Sequence, residues 1–152
     1  MNTVKSWVGR VSATLRWGGA MVLALAVGAL APAQAAEVVV GQVAPLSGVL
    51  ASTGAQMVLG GKIYFDWVNA QGGVHGASIR QAVADDGYKV ADTVTRTREL
   101  LAKPEVVALY GFAGTANITQ LLADGVLEQG GAALVAPYTG GESLRNPFNP
   151  WI

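Results

Sequence analysis

The 152 residues carry 10 Lys and Arg against 10 Asp and Glu, and the sequence contains no cysteine. This balance, with no basic stripe, argues against a nucleic-acid partner. Without cysteine the chain can have no disulfide, no thiol nucleophile and no cysteine metal site, so its stability must come from a hydrophobic core.

The first 35 residues have the order of a secretory signal peptide. Three basic residues precede an apolar run over residues 20–31, and the small-residue cleavage site Ala33-Gln34-Ala35 follows. A membrane anchor is the alternative, but it would need about 18 or more consecutive apolar residues, and this run is shorter. We therefore expect residues 1–35 to be a cleaved signal peptide and residues 36–152 to be a soluble periplasmic chain.

Downstream of that site, strand and helix patterns alternate. The β-branched run from Glu37 to Ala44, ended by Pro45, predicts a central strand buried on both faces. Apolar residues at helical spacing predict a first helix over residues 55–71. By the same criteria we expect further strands over 78–84, 106–110 and 132–136 and further helices over 90–102 and 115–129. Four strands alternating with three helices predict an α/β fold with a doubly wound parallel sheet.

Helical periodicity also predicts which side chains face the sheet. In the first helix, Tyr64, Phe65 and Trp67 are interpreted as core rather than as a surface on which a ligand stacks. In the third helix, the residues at inward positions are Ile118, Leu122 and Val126. Each helix should therefore cover the sheet with one continuous apolar face.

The predicted topology also indicates where a ligand would bind. In parallel sheets of this kind, ligands occupy the crevice beyond the carboxyl ends of the strands. Three of the loops at that edge carry hydroxyls and glycines, which suit binding better than acid, base or nucleophile chemistry. The four loops span residues 45–53, 85–88, 111–115 and 137–140.

Thr115, at the predicted start of the third helix, is the strongest local candidate. A helix N-terminus presents unpaired N–H groups and a partial positive charge, so it can bind a carboxylate to which a Thr hydroxyl adds a hydrogen bond. The alternative is that Thr115 is an ordinary N-cap. The helix pattern does not decide between these two roles.

Motifs of common α/β enzymes are absent from the sequence. No Gly-x-Gly-x-x-Gly follows the first strand, and there is neither a Walker loop nor a Gly-x-Ser-x-Gly elbow. The only histidine, His75, is interpreted as an exposed turn residue, because one ligand cannot make a closed metal site. Asp85 and Asp86 should point to opposite faces and serve a turn, with one of them bonded to nearby backbone amides. We therefore expect no enzyme activity, and an exported α/β enzyme is the least favoured alternative.

Five segments, in order along the chain, carry a resemblance to a known family. They are GQVAPLSG (41–48), NAQGGVHG (69–76), DDGY (85–88), GFAGT (111–115) and VAPY (135–138). Together they resemble the periplasmic leucine/isoleucine/valine-binding proteins, which are substrate-binding subunits of ABC transporters. The resemblance implies a type I periplasmic-binding fold whose two lobes close on a small solute and present it to a membrane permease, with no cofactor.

The resemblance also implies which residues contact the solute. The family holds an amino-acid carboxylate with a Ser or Thr hydroxyl, and that position falls on Thr115. The loop after the fourth strand supplies backbone contacts, here at Tyr138. The family then has a hydroxyl where this sequence has Gly140, with Thr139 one place earlier. This departure weakens the assignment to amino acids.

Three further residues complete the predicted ligand-binding set. Ser47 and Gly114 lie in two of the loops named above, and Thr53 stands where the family often has an aromatic residue near the ligand. The solute is therefore expected to be a branched-chain amino acid or a related carboxylate or amide.

Family members are longer than this chain. By the resemblance, residues 36–152 are the N-terminal part of the first lobe, and we expect the second lobe and the hinge to be absent from the sequence. A fragment and a truncated gene would look the same here. The alternative function within the same fold is a ligand-sensing module of an extracellular receptor.

Overall fold

The computed structural model describes residues 36–152 as one parallel sheet with helices on its faces. The strands are β1 (Glu37–Ala44), β2 (Ser78–Asp85), β3 (Val106–Tyr110) and β4 (Leu134–Val135), and the helices are α1 (Ala51–Ala70), α2 (Val90–Leu101), α3 (Thr115–Ala123) and α4 (Val126–Gly130). Two short 3₁₀ turns cover Gly48–Leu50 and Glu142–Leu144. The strand order is β2-β1-β3-β4 with every pair parallel, which confirms the predicted doubly wound α/β class.

β1 is a central strand, as its sequence predicts. It pairs with β2 in unbroken register from Glu37–Ser78 to Ala44–Asp85, and with β3 on its other side. Val39 and Val43 lie in a core that continues through Leu109 and Leu134 of the neighbouring strands and through buried residues of α2, α3 and α4. Because β1 lies between β2 and β3, the loop after its carboxyl end stands between the loops that follow those two strands.

α1 packs on the sheet through small residues, which makes part of the predicted core wrong. Tyr64 and Trp67 are 60% and 58% exposed and stack on each other with their ring centroids 5.8 Å apart. Of the three aromatic residues only Phe65 is half-buried, edge-on against Tyr110 of β3. A Cβ on Gly61 would come within 3.0 Å of Tyr110, so the glycine face is the one that lies against the sheet.

The predicted third helix is two helices. Gly125 adopts a left-handed conformation with φ of 61°, which ends α3 at Ala123 and lets α4 begin at Val126. The predicted inward face is confirmed at Ile118 and Val126 and differs at Leu122. Leu122 is only half-buried, and the buried apolar residues are Ile118, Leu121, Val126 and Leu127.

β4 is shorter than predicted, with only Leu134 and Val135 in the ladder. Ala136 has a φ of 51°, a conformation that a strand cannot contain, so pairing with β3 stops before it. On the other side of β4, the Leu134 N–H donates to the carbonyl of Trp151 at 2.8 Å.

The Asn69–Gly76 segment joins α1 to the edge strand β2. The Asn69 side chain donates to the Ile79 carbonyl at 2.8 Å and accepts from the Ile79 N–H at 2.7 Å. Gly73 has a φ of 72°, and a Cβ there would lie 2.0 Å from the Ala77 carbonyl oxygen. His75 is exposed in this turn, as predicted. The Asn69–Gly76 segment therefore fixes the start of β2 and lies away from the carboxyl ends of the strands, where a ligand is predicted to bind.

Within residues 36–152, none of the helices combines the length and the hydrophobicity that a membrane crossing requires. The predicted signal peptide lies outside the described residues.

Candidate functional site

An open cavity of about 480 Å³ lies beyond the carboxyl ends of the strands. All four predicted loops contribute to it. Its lining consists of Leu50, Tyr88, Ala113, Gly114, Thr115, Pro137, Tyr138, Thr139 and Gly140. None of these side chains is ionisable at neutral pH, so the cavity offers hydroxyls, backbone groups and apolar surface.

The cavity brings together five of the seven residues predicted to bind ligand. Gly114, Thr115, Tyr138, Thr139 and Gly140 line it, and their contact with a ligand remains a prediction.

Ser47 and Thr53 do not line the cavity. Thr53 is half-buried in the first turn of α1, and Ser47 is engaged with Asp85. Sequence reasoning did not single out Leu50 or Tyr88. The rule that ligands bind beyond the strand ends selects their loops but not the individual side chains that face inward.

α3 starts at Thr115, but Thr115 is not its N-cap. That position belongs to Gly114, which has a φ of 101° and whose carbonyl accepts the Ile118 N–H at 3.1 Å. The first-turn N–H groups before Ile118 have no acceptor within the helix and point out of its end. The N-cap alternative for Thr115 is therefore wrong, and its exposed hydroxyl stands beside these N–H groups at the cavity wall.

The Thr115 and Thr139 hydroxyls form a pair, with their oxygens 2.7 Å apart. The Gly141 N–H donates to the Thr139 oxygen at 3.0 Å. Since one hydroxyl hydrogen lies between the two oxygens, the other is free to point into the cavity whichever residue donates. The pair thus presents one neutral donor next to the helix end, a combination suited to a carboxylate or carbonyl oxygen.

Backbone hydrogen bonds join the third and fourth loops. The Gly114 N–H donates to the Tyr138 carbonyl at 3.1 Å, and the Tyr138 N–H donates to the Phe112 carbonyl at 2.7 Å. Tyr138 is 64% exposed and projects from this frame. The two loops therefore hold the Thr115–Thr139 pair as one unit.

Asp85 and Asp86 both organise loops and do not form a catalytic pair. One oxygen of Asp85 accepts N–H groups from Leu46 at 2.8 Å, from Ser47 at 3.2 Å and from Gly87 at 2.8 Å. The Ser47 hydroxyl, followed by these backbone groups, lowers the pKa of Asp85 to about 2. The turn role predicted from the sequence is confirmed, and it accounts for the absence of Ser47 from the cavity.

Asp85→Asn should lower the free energy of unfolding at neutral pH by about 1–2 kcal/mol, because a charged acceptor of several N–H groups is lost. The folded-state pKa of Asp85 is depressed, so its contribution is present above the unfolded value near 3.9 and is lost as pH falls towards about 2. Urea unfolding at neutral pH and at about pH 3 should show the two proteins converging in acid.

Asp66→Asn is the matched control for this change. Asp66 makes only an exposed i,i+4 pair with Lys62, a type worth about 0.3–0.5 kcal/mol. Equal losses for Asp66→Asn and Asp85→Asn would contradict the role assigned to Asp85.

Among residues 36–152, no group of three His, Asp or Glu side chains is placed to hold a metal ion.

The chain is similar in sequence and in structure to known proteins. The sequence profile described as periplasmic binding protein matches residues 37–151. Among curated proteins, none matches this chain.

Several solved structures are similar to residues 36–152. A substrate-binding periplasmic protein from Ralstonia solanacearum is 40% identical, with a TM-score of 0.68 over 70% of this chain and 30% of its own length. An extracellular ligand-binding receptor from Verminephrobacter eiseniae is 31% identical, with a TM-score of 0.71 over 76% and 32%. A possible leucine/isoleucine/valine-binding protein from Rhodopirellula baltica is 26% identical, with a TM-score of 0.70 over 78% and 32%. The chain thus spans about a third of the length of these proteins.

Proposed function

Because this chain belongs to the periplasmic binding protein family, with the type I fold, we propose that its cavity binds a small solute for an ABC importer. The proposed solute is a branched-chain amino acid or a related carboxylate or amide. One observation carries this proposal: a free hydroxyl donor of the Thr115–Thr139 pair stands beside the open N-terminus of α3 in a cavity without ionisable side chains.

The proposed contacts place the solute carboxylate at Thr115. Its oxygens would accept the first-turn N–H groups of α3 and the free hydroxyl hydrogen of the threonine pair. Backbone at Tyr138 and Gly140 borders the same space, while Tyr88 and Leu50 offer apolar surface to a side chain. These groups hold an anion without reacting with it, so we propose binding rather than catalysis.

The described residues form one wall of the proposed solute site. The chain spans about a third of the solved relatives, so the role of a whole protein, including presentation of the solute to a permease, is part of the proposal. With one wall, binding should be millimolar or weaker, which corresponds to a binding free energy of at most about 4 kcal/mol.

Titration with L-leucine, followed by the backbone NMR signals of Gly114, Thr115 and Thr139, tests the proposal. We expect saturable shifts confined to the cavity loops, with a dissociation constant in the millimolar range. L-Leucinol, which has the same side chain and ammonium group but no carboxylate, is the control and should leave these signals in place. Equal shifts with leucinol would contradict carboxylate binding at Thr115. The absence of shifts with leucine, isoleucine and valine as well as with their amides would contradict the proposed solute class.

A ligand-sensing module is the second candidate, because one similar protein is described as an extracellular ligand-binding receptor. Both candidates use the same cavity. They differ in the partner, which is a permease in one case and a signalling domain in the other, so co-purification from membranes separates them.

The family implies a periplasmic or extracellular location, and we propose that residues 1–35 direct export as a cleaved signal peptide. Since Ala33 and Ala35 form the small-residue cleavage pattern, the exported protein should begin at Ala36 or at Glu37. N-terminal sequencing of secreted material measures this. Recovery of the chain in membranes with Met1 retained would contradict it.

A further inference from the structure

Asp86 is a buried carboxylate that the proposed binding mode does not use. It follows β2 directly and is 2% exposed. One of its oxygens accepts the Tyr88 N–H at 2.9 Å, and the other accepts the Thr93 hydroxyl at 2.5 Å. Within the described part of the chain, Asp86 takes part in no ion pair. Its two oxygens are therefore bonded by its own loop and by α2.

Thr93 also connects Asp86 to α3. Its oxygen accepts the side-chain amide of Asn117 at 2.7 Å, and both Thr93 and Asn117 are buried. The single hydroxyl hydrogen of Thr93 is donated to Asp86, and a lone pair of the same oxygen accepts the side-chain N–H of Asn117. The Lys89 carbonyl, 3.0 Å away, is the longer alternative for that hydrogen. The network Asp86–Thr93–Asn117 thus links the loop after β2, the first turn of α2 and the first turn of α3.

Both ends of the network reach residues that line the cavity. Asp86 fixes the backbone of Tyr88, which has a φ of 63°, a left-handed conformation that is costly for a tyrosine. At the other end, the Asn117 amide lies against Gly114: a Cβ on Gly114 would be 2.6 Å from the Asn117 oxygen and 2.8 Å from the Tyr88 ring. Tyr88, Gly114 and Asn117 therefore meet at the wall beside Thr115.

We infer that Asp86, Thr93 and Asn117 are positioning residues, which set where the Tyr88 ring stands relative to the N-terminus of α3 and thereby shape the solute cavity. The inference rests on the proposed function for its ligand, an amino-acid carboxylate. None of the three residues touches the cavity space, so they act through Tyr88 and Gly114. Loss of the network releases Tyr88 from its left-handed conformation and frees the Asn117 amide from Thr93.

Thr93→Val in residues 36–152, the proposed exported form, tests this inference. Valine keeps the shape of threonine and removes the hydroxyl, so we expect loss of the nuclear Overhauser effects between the Tyr88 ring and the Gly114 α-protons. We also expect amide exchange at Ile118 to become about 10-fold faster than the change in global stability explains. Thr93→Ser, which retains the hydroxyl, should restore both measurements.

Thr97→Val is the matched control. Thr97 lies one turn further along α2, is equally buried, and bonds only to the Thr93 backbone carbonyl at 2.7 Å. It should lower stability without moving Tyr88 or accelerating exchange at Ile118. If Thr93→Val keeps the Tyr88–Gly114 contacts as Thr97→Val does, the network is only part of the core and the inference is overturned.

L-Leucine supplies the ligand arm of the experiment. We expect Thr93→Val to weaken leucine binding by about 3- to 10-fold, in the range of one neutral hydrogen bond, and Thr97→Val to leave it unchanged. Parental affinity in a Thr93→Val protein that has lost the Tyr88–Gly114 contacts would overturn the link to the cavity. If the parent binds no leucine, the proposed function fails, while the positioning of Tyr88 is still decided by the ligand-free measurements.

Discussion

Gly54→Ala is expected to prevent the sheet and α1 from packing as they do, whereas Gly60→Ala in the same helix should stabilise the protein. Gly54 lies in the first turn of α1 against the loop that leaves β1. A Cβ at this position would be 2.0 Å from the Pro45 carbonyl oxygen and 2.6 Å from its carbon. Both are backbone atoms, so the clash cannot be relieved by a side-chain rotation.

The expected cost of Gly54→Ala is about 3 kcal/mol or more, the upper range for overpacking a close contact. This is a large share of the 5–15 kcal/mol that stabilises a typical domain. Gly60 has nothing within 4 Å of the added methyl group, so Gly60→Ala should gain about 0.5–1 kcal/mol from helix propensity alone.

Urea unfolding of both variants beside the parent protein measures these opposite effects. Comparable midpoints for the two alanine variants would contradict the close approach of α1 to Pro45. The same result would also argue against the position of Leu50, which lines the cavity from the turn just before α1.

Thr115→Ala is expected to weaken solute binding by about 1.5–3 kcal/mol, roughly 10- to 150-fold, the usual range for a hydrogen bond to a charged group. The alanine removes one hydroxyl of the Thr115–Thr139 pair and leaves the helix N-terminus in place. Because Gly114 and not Thr115 is the N-cap, the helix should lose little stability. A reduced affinity with an unchanged free energy of unfolding would therefore reflect the loss of the ligand contact itself.

The affinity comparison is best made with L-leucine in a chimaera in which residues 36–152 replace the matching part of the Ralstonia solanacearum protein, because the rest of that protein, of which this chain covers 30%, should supply further contacts to a solute. Thr119→Ala is the matched control, since Thr119 is exposed in the same helix and does not line the cavity. If Thr115→Ala binds as tightly as Thr119→Ala, the carboxylate does not contact the Thr115 hydroxyl.

The fold class and the edge of the sheet that carries the cavity were predictable from the sequence alone. β1 and β3 have the predicted bounds because apolar β-branched runs between proline and glycine signals are local features. The alternation of strands and helices made the sheet parallel, and a parallel sheet collects the loops after its strands on one edge. The four loops were predictable in this way, whereas individual cavity residues were indicated by the start of the third helix and by the family resemblance.

Which side chains fill that edge depends on contacts between residues that are distant in the chain, and local sequence patterns do not reveal these contacts. Ser47 faces Asp85, 38 residues away, and so leaves the cavity, while Tyr88 enters it because the buried Asp86 holds its backbone. The inward face of α1 was predicted wrongly for a related reason. Apolar residues surround that helix, and its contact with the sheet runs through glycines, which carry no hydrophobic signal. The periodicity of apolar residues predicts where a helix or strand forms, and long-range packing determines which of its side chains can reach a ligand.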